Sequence, residues 1–306
     1  MIPSLLAFSL DRPPETADIF LTIDDHRSRR RQFHQARSRG TFSMTAGRGF
    51  MNPIAIARWL AREVDALVFR PPTACTYNPL SYARRPHEAY LKRFARQGTE
   101  TLLLGMNPGP WGMAQTGVPF GEVEHVREFL GITARVDQPA QVHPKRPIEG
   151  FDCMRSEVSG RRLWGWVKDR FGSPDAFSKE FLVANYCPLV FMEASGRNRT
   201  PDKLPAGERE QLFQLCDEAL RRLVRWCGPK RVIGVGSFAA GRARAALGES
   251  GLPILSILHP SPASPAANRG WVPQVERQLR SHGIHLPQSP STRPPRRGAV
   301  RTRDES

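Results

Sequence analysis

Two side chains whose types suit bond hydrolysis stand in rigid turns more than 150 residues apart. Asn107 lies in Gly105-Met106-Asn107-Pro108-Gly109-Pro110, and His259 opens His259-Pro260-Ser261-Pro262. Each turn follows an apolar run that reads as a buried strand, Leu102-Leu103-Leu104 and Ile254-Leu255-Ser256-Ile257-Leu258. Loops leaving the carboxyl ends of strands line the ligand crevice of an open α/β sheet, so an amide and an imidazole face one pocket. A second amide, Asn185, ends the run Phe181-Leu182-Val183-Ala184-Asn185, and Phe120 closes the long loop that follows the first turn. Together these groups can stack on and hydrogen-bond a flat heterocycle, with no carboxylate nucleophile among them. The chain carries no G-x-S-x-G elbow, no P-loop and no His/Cys/Asp cluster at metal-ligand spacing.

The elements that must position these groups alternate. Thr101–Gly105, Phe181–Asn185, Arg231–Val235 and Pro253–Leu258 are short apolar runs bounded by turn residues, as buried parallel strands are. Ile54 to Val68 has helical spacing, with Ile54, Ala57, Trp59, Leu60, Val64 and Leu67 as the expected buried stripe. His87–Arg96, Gly207–Cys227 (stopped by Gly228-Pro229) and Phe238–Leu247 read as further helices. This alternation predicts a three-layer α/β/α sandwich around a small four-stranded parallel sheet. Gly234-Val235-Gly236-Ser237-Phe238-Ala239-Ala240-Gly241 imitates a dinucleotide fingerprint. Its third glycine comes two residues late and no acidic residue stands at the required distance, so it reads as a plain strand-to-helix turn.

The 306 residues are 40% hydrophobic, enough for one sizeable core, and no apolar stretch reaches membrane-spanning length. The first eight residues lack a basic region before Asp11 and Arg12, so no signal peptide is expected. Five cysteines without a C-x-x-C pair point to a reducing compartment rather than a disulfide frame or zinc knuckle. A net charge of +16 fits a polyanionic partner, nucleic acid by default; Arg outnumbers Lys 39 to 6, so a solvated surface from an Arg-rich proteome is the alternative. Residues 1–50 read as a basic disordered arm or as translated upstream sequence, Met44 and Met51 being alternative starts, and 288–306 as a Pro/Ser/Arg-rich disordered tail. Eight Arg against five acids in the arm, and five against two in the tail, leave most of the charge on residues 51–287.

From about Tyr77 to Leu286 the sequence resembles the single-strand-selective monofunctional uracil-DNA glycosylases of the uracil-DNA glycosylase superfamily. The resemblance rests on G-M-N-P-G-P-W-G-M-A-Q-T-G-V-P-F-G-E-V at 105–123, H-P-K-R-P at 143–147 and S-E-V-S-G at 156–160. N-Y-C-P-L at 185–189, S-G-R-N-R-T-P at 195–201 and H-P-S-P at 259–262 complete it. It implies the glycosylase fold over 51–287, and hydrolysis of the N-glycosidic bond of uracil, and of oxidised thymines such as 5-hydroxymethyluracil, in single- and double-stranded DNA. This is the entry to base excision repair. Phe120 would stack on the flipped base and Asn185 read its Watson–Crick edge, a residue that without the resemblance could equally cap a turn. Asn107 would aim water at C1′, His259 would bind O2 of the leaving base, and Gly109 and Met113 would wall the side facing ring position 5. Ser261, Pro262, Ala263, Ser264, Pro265 and Asn268 belong to a segment that enters the DNA duplex in the family.

The resemblance also implies no metal, no redox cofactor and no lysine Schiff base, and none of the six lysines falls among the pocket residues of these motifs. The expected partner is DNA and not a membrane. The chain is expected to act as a monomer and inside the cell: cytoplasm and nucleoid in a bacterium, nucleus in a eukaryote. One departure stands out, because animal members carry Arg where this chain has Ala263. The enzyme should therefore depend more on a weak pair such as U·G when its uracil lies in a duplex. Two alternatives are a mismatch-specific uracil/thymine glycosylase, against which His259 argues, and a damage-binding module that does not cut, against which the intact Asn107 and His259 argue.

Overall fold

The computed structural model describes residues 51–289; apart from Gln288 and Ser289, the expected arm (1–50) and tail (288–306) lie outside the described residues. The chain enters through α1 (Pro53–Asp65), where the Asn52 side chain accepts from the Ala55 N–H at 2.9 Å and Pro53 needs no donor partner in the first turn. There follow β1 (Cys75–Tyr77), α2 (Pro79–Tyr82), α3 (Arg84–Phe94), β2 (Thr101–Gly105) and α4 (Met113–Thr116). Next come α5 (Val158–Phe171), α6 (Pro174–Ser178), β3 (Phe181–Asn185), β4 (Val190–Met192) and β5 (Asn198–Arg199). The last part contributes α7 (Ala206–Cys227), β6 (Arg231–Val235), α8 (Ser237–Leu247), β7 (Ile254–Ile257), α9 (Pro265–Asn268) and α10 (Trp271–Ser281).

The four expected strands form one parallel sheet in the order β3-β2-β6-β7. All five residues of β2 are buried, which is why it reads as an unbroken apolar run rather than an alternating one. From β2 the chain steps to β3 at one edge, then returns across β2 to β6 and β7. Right-handed crossovers in opposite directions place α5 and α6 on one face and α7 and α8 on the other. The packing agrees: α6 lies on β3, α10 on β7 and α5, α8 on β6 and β7, and α7 between α8 and α1. The loops that leave β2 and β3 therefore diverge, which opens a crevice at their carboxyl ends.

Several expectations need correction. The first helix stops at Asp65, leaving Val68 76% exposed, and Ile56 and Ala61 are buried in its stripe whereas Ile54, Trp59 and Leu67 are only half-buried. Trp59 packs against the edge of the core, and the guanidinium of Arg222, 4.0 Å from its ring centroid, covers the rest of the ring by a cation–π contact. The second helix spans Arg84–Phe94 rather than His87–Arg96. An antiparallel sheet, β1-β4-β5, was not anticipated; Cys75, Tyr77, Val190 and Met192 bury its inner face together with Tyr82 and Ile148. Helices α5 and α10 were not anticipated either. Trp164 and Trp166 of α5 join Phe171, Phe177 and Phe181 in a web of edge-on and stacked rings that fixes α5 on the sheet.

Candidate active site

Asn107 sits two residues beyond β2. Its amide nitrogen donates to the Leu189 carbonyl at 3.1 Å and the Pro108 carbonyl at 3.4 Å, which turns its carbonyl oxygen away from both. Leu189 leads directly into β4, so the small antiparallel sheet sets the aim of this side chain. The turn itself is fixed by continuation of the β2–β3 pairing, Tyr186 N–H to Gly105 O and Cys187 N–H to Met106 O, both at 2.9 Å.

Asn185 is the last residue of β3 and lies in register with Gly105. A Cβ at Gly105 would stand 2.4 Å from the Asn185 Oδ1 and 2.5 Å from a Phe120 ring carbon, so the missing side chain is what lets amide and ring meet over the strand end. The Asn185 amide nitrogen reaches Met113 Sδ at 3.2 Å, and Met113 is buried. Phe120 has φ 53, a left-handed conformation that disfavours a non-glycine residue. Neighbours hold it there: Glu122 N–H donates to Phe120 O, Trp164 Nε1 to Pro119 O, and Thr116 Oγ1 to Gly121 O. Gly160 of α5 abuts the same backbone, since a Cβ there would lie 2.1 Å from Phe120 O. Burial alone would raise the Glu122 carboxyl, but bonds from the His125 ring, the His125 N–H and Ser156 Oγ outweigh it and hold it down at about 2. The ionised carboxylate thereby braces the aromatic loop against α5.

His259 stands two residues beyond β7. Its ring lies 6.0 Å from that of Phe120 at an interplanar angle of 41°. Gly236, at φ +95 in the strand-to-helix turn after β6, makes room for it: a Cβ there would come within 3.1 Å of His259 Cβ. Of the fingerprint-like glycines, Gly236 thus packs against His259, while Gly234 lets Ala240 of α8 approach the strand. Trp271 Nε1 donates to Leu258 O at 2.7 Å, and Leu258 N–H donates to Gln278 Oε1 at 2.8 Å, so α10 fixes the backbone before His259. Burial lowers the imidazole to about 4, so it is neutral at physiological pH. Among the described residues its ring makes no hydrogen bond, which leaves its nitrogens to a ligand.

Behind Gly109 lies Glu157, part of the S-E-V-S-G motif at 156–160 but given no role in the sequence reading. A Cβ at Gly109 would fall 2.3 Å from its carboxylate and one at Gly112 2.9 Å from its Cγ; its one hydrogen bond comes from the Trp111 N–H at 3.4 Å, and burial pushes its carboxyl up. The segment after His259 is likewise held by an unanticipated residue. Arg162 of α5 donates to Pro260 O and Ser261 O and to the Asn268 side chain at 2.9 Å. Ser261 Oγ accepts from Ala263 N–H, Ser264 caps α9 and is followed by Pro265, and Asn268 Nδ2 returns to Pro262 O at 2.8 Å. Pro262 and Ala263 are exposed at the tip.

The structure therefore brings Met113, Asn185 and Phe120 together at the carboxyl ends of β2 and β3, with the His259 ring 6.0 Å from that of Phe120. Asn107 and Gly109 lie in the turn that leaves β2, and Ser261 to Asn268 form a braced loop after His259. Among the described residues no group of three His, Cys, Asp or Glu could hold a metal ion. Such a site can clasp a planar base between a ring and two amides, with a neutral imidazole beside it.

The family model of the uracil DNA glycosylase superfamily matches residues 92–278. A single-strand selective monofunctional uracil-DNA glycosylase of Rattus norvegicus is 49% identical over 229 residues, covering 74% of this chain and 82% of the relative. The Bos taurus protein of that name is 47% identical over 224 residues, covering 72% and 82%. The crystal structure of wild-type Pedobacter heparinus SMUG2 shares the fold, with a TM-score of 0.54 at 16% identity over 74% of this chain and 97% of that one. By its matched core and its near-half identity to these relatives, the chain belongs to the uracil-DNA glycosylase superfamily, in its single-strand-selective monofunctional branch.

Proposed function

We propose that this protein flips uracil, and 5-substituted relatives such as 5-hydroxymethyluracil, out of single- and double-stranded DNA and hydrolyses the N-glycosidic bond, acting as a monomer without a cofactor. The observation that carries the reading is the orientation of Asn107: its amide hydrogen is spent on the Leu189 carbonyl, so its oxygen is left to hold a water. An amide does not take a proton at neutral pH, so the water is a weak nucleophile. That suits a path in which the bond to the base is largely broken first, leaving an oxocarbenium-like sugar and an anionic base. His259, neutral and without a protein partner, donates to O2 of that anion, a contact that strengthens as charge develops.

Selection of the base falls to Asn185 and Phe120. The ring stacks on the extruded base; the Asn185 carbonyl accepts N3–H while its amide donates to O4. Cytosine presents the reverse pattern and would leave both groups mispaired at a buried site. Extrusion costs about a few kcal/mol, least for an unpaired base, which favours single strands. The test is an oligonucleotide with one uracil: an abasic product at that position supports the reading, and binding without cleavage overturns it. His259→Leu should slow excision on the order of 10²- to 10³-fold while the protein stays folded. Asn185→Ala should lose the preference for uracil and keep salt-sensitive DNA binding.

A further inference from the structure

Beside the crevice, the Trp111 indole carries two guanidiniums, Arg155 at 4.4 Å and Arg146 at 5.0 Å from its ring centroid. Trp111 belongs to the same turn as Asn107. Gln115, fully buried, ties the Arg146 segment to that turn: its Nε2 donates to Pro110 O and Pro147 O, both at 3.0 Å, and its Oε1 accepts from Glu149 N–H at 2.8 Å. Neither arginine pairs with a carboxylate among the described residues. Among the described residues the Arg146 guanidinium donates only to Lys145 O, at 3.2 Å, and its buried Nε has no partner. Exposed Lys145 stands next to it.

Desolvating a guanidinium nitrogen without an acceptor is costly, and a stacked guanidinium keeps its in-plane N–H edge free for an oxyanion. Two such forks and an ammonium, fixed to the turn that carries Asn107, match the phosphodiesters next to an extruded nucleotide. We infer that Trp111, Arg146, Arg155 and Lys145 form a phosphate clamp that grips the backbone of the damaged single strand next to the flipped base. This rests on the DNA-glycosylase reading above and adds a binding subsite to it. The clamp explains how a strand without a partner is held in register with the crevice, since backbone contacts position a strand without reading its sequence.

The test is the salt dependence of binding to a uracil-free single-stranded oligonucleotide, measured on the full chain. Each phosphate contact contributes roughly 0.7 to the slope of log K against log salt on single strands. Arg146→Gln with Arg155→Gln should flatten that slope by about 1.4, the loss of two such contacts. The control, Arg225→Gln with Arg244→Gln, makes the same charge change in the last turns of α7 and α8, where Arg244 reaches the first residue of β7 at the end of the sheet opposite the turns that carry Asn107 and His259. It should leave the slope within about 0.3 of the parent, under half of one contact. Trp111→Leu retains both charges and loses the stack; it should bind several-fold more weakly. An unchanged slope in the first variant, an equal change in the control, or parent-like binding by Trp111→Leu would each overturn the clamp. Failure of the parent to excise uracil would instead strike the glycosylase reading, because the slope is measured without uracil.

Discussion

At the scale of single residues, burial decides what His259 can do. Its imidazole is lowered to about 4, so it is already deprotonated well below neutrality. Single-turnover excision on single strands should stay level from pH 8 down to pH 5.5 and show its acid limb nearer 4. Activity lost as pH rises through the ordinary histidine value of about 6.5 would assign a cationic donor instead. Gly105 offers a second test. An added methyl would collide with both Asn185 Oδ1 and the Phe120 ring, so Gly105→Ala should cut excision on the order of 10²-fold, as misplacement by about an ångström does, and cost about 1–3 kcal/mol of stability as overpacking of a buried strand does. The side chains proposed to carry the chemistry stood out in the sequence: Asn107, Asn185 and His259 because each ends or follows an apolar run, and Phe120 because it closes the loop after the first turn. The residues that hold them did not. Glu157, Arg162 and Gly236 owe their roles to tertiary neighbours far away in sequence, which no local pattern records.

At the scale of elements, the strands buried on both faces could be read to the residue: β2, β3 and β6 have the expected ends because their apolar runs are bounded by turn residues. Strands β1, β4 and β5 are two or three residues long, too short to show a period, yet β4 follows the residue that aims Asn107. Helix α5 escaped notice because Gly160 and two adjacent arginines dilute its apolar stripe, although Gly160 lets it touch the Phe120 backbone and Arg162 lets it hold the loop after His259. Arg162→Gln should therefore lower duplex excision by about tenfold, the order of one charge-assisted hydrogen bond, and lower single-strand excision less, at unchanged melting temperature. The small tip residue of that loop leads to a related expectation: uracil opposite guanine should be excised faster than uracil opposite adenine. Equal rates with tight product binding would contradict it.

At the scale of the whole molecule, burial lowers two histidines among the described residues, His87 against the Gly117 carbonyl and His259 beside Phe120. Between the ordinary histidine value and these lower ones the unfolded chain takes up more protons than the folded one, so stability falls as pH drops from about 6.5 toward 4. Melting temperature should decline over that interval, and His259→Leu should flatten part of the decline, with His87 supplying the rest. Thermal melts at pH 7, 6 and 5 would decide it. The overall basic charge was legible from composition; its distribution was not, since only the folded chain brings Arg146 and Arg155 onto one indole.

The donor bond from Asn107 to Leu189 also limits what mutation can reach. Asparagine and aspartate codons differ by one nucleotide, so Asn107→Asp is one of the shortest genetic steps toward a true general base at this position. The main chain opposes it: a carboxylate oxygen would face the Leu189 carbonyl at the distance where the amide now gives a hydrogen. The acid would be favoured in its protonated form, a donor rather than a base. Access to base-assisted hydrolysis would then require the backbone before β4 to move first, which makes the asparagine chemistry a locally trapped solution.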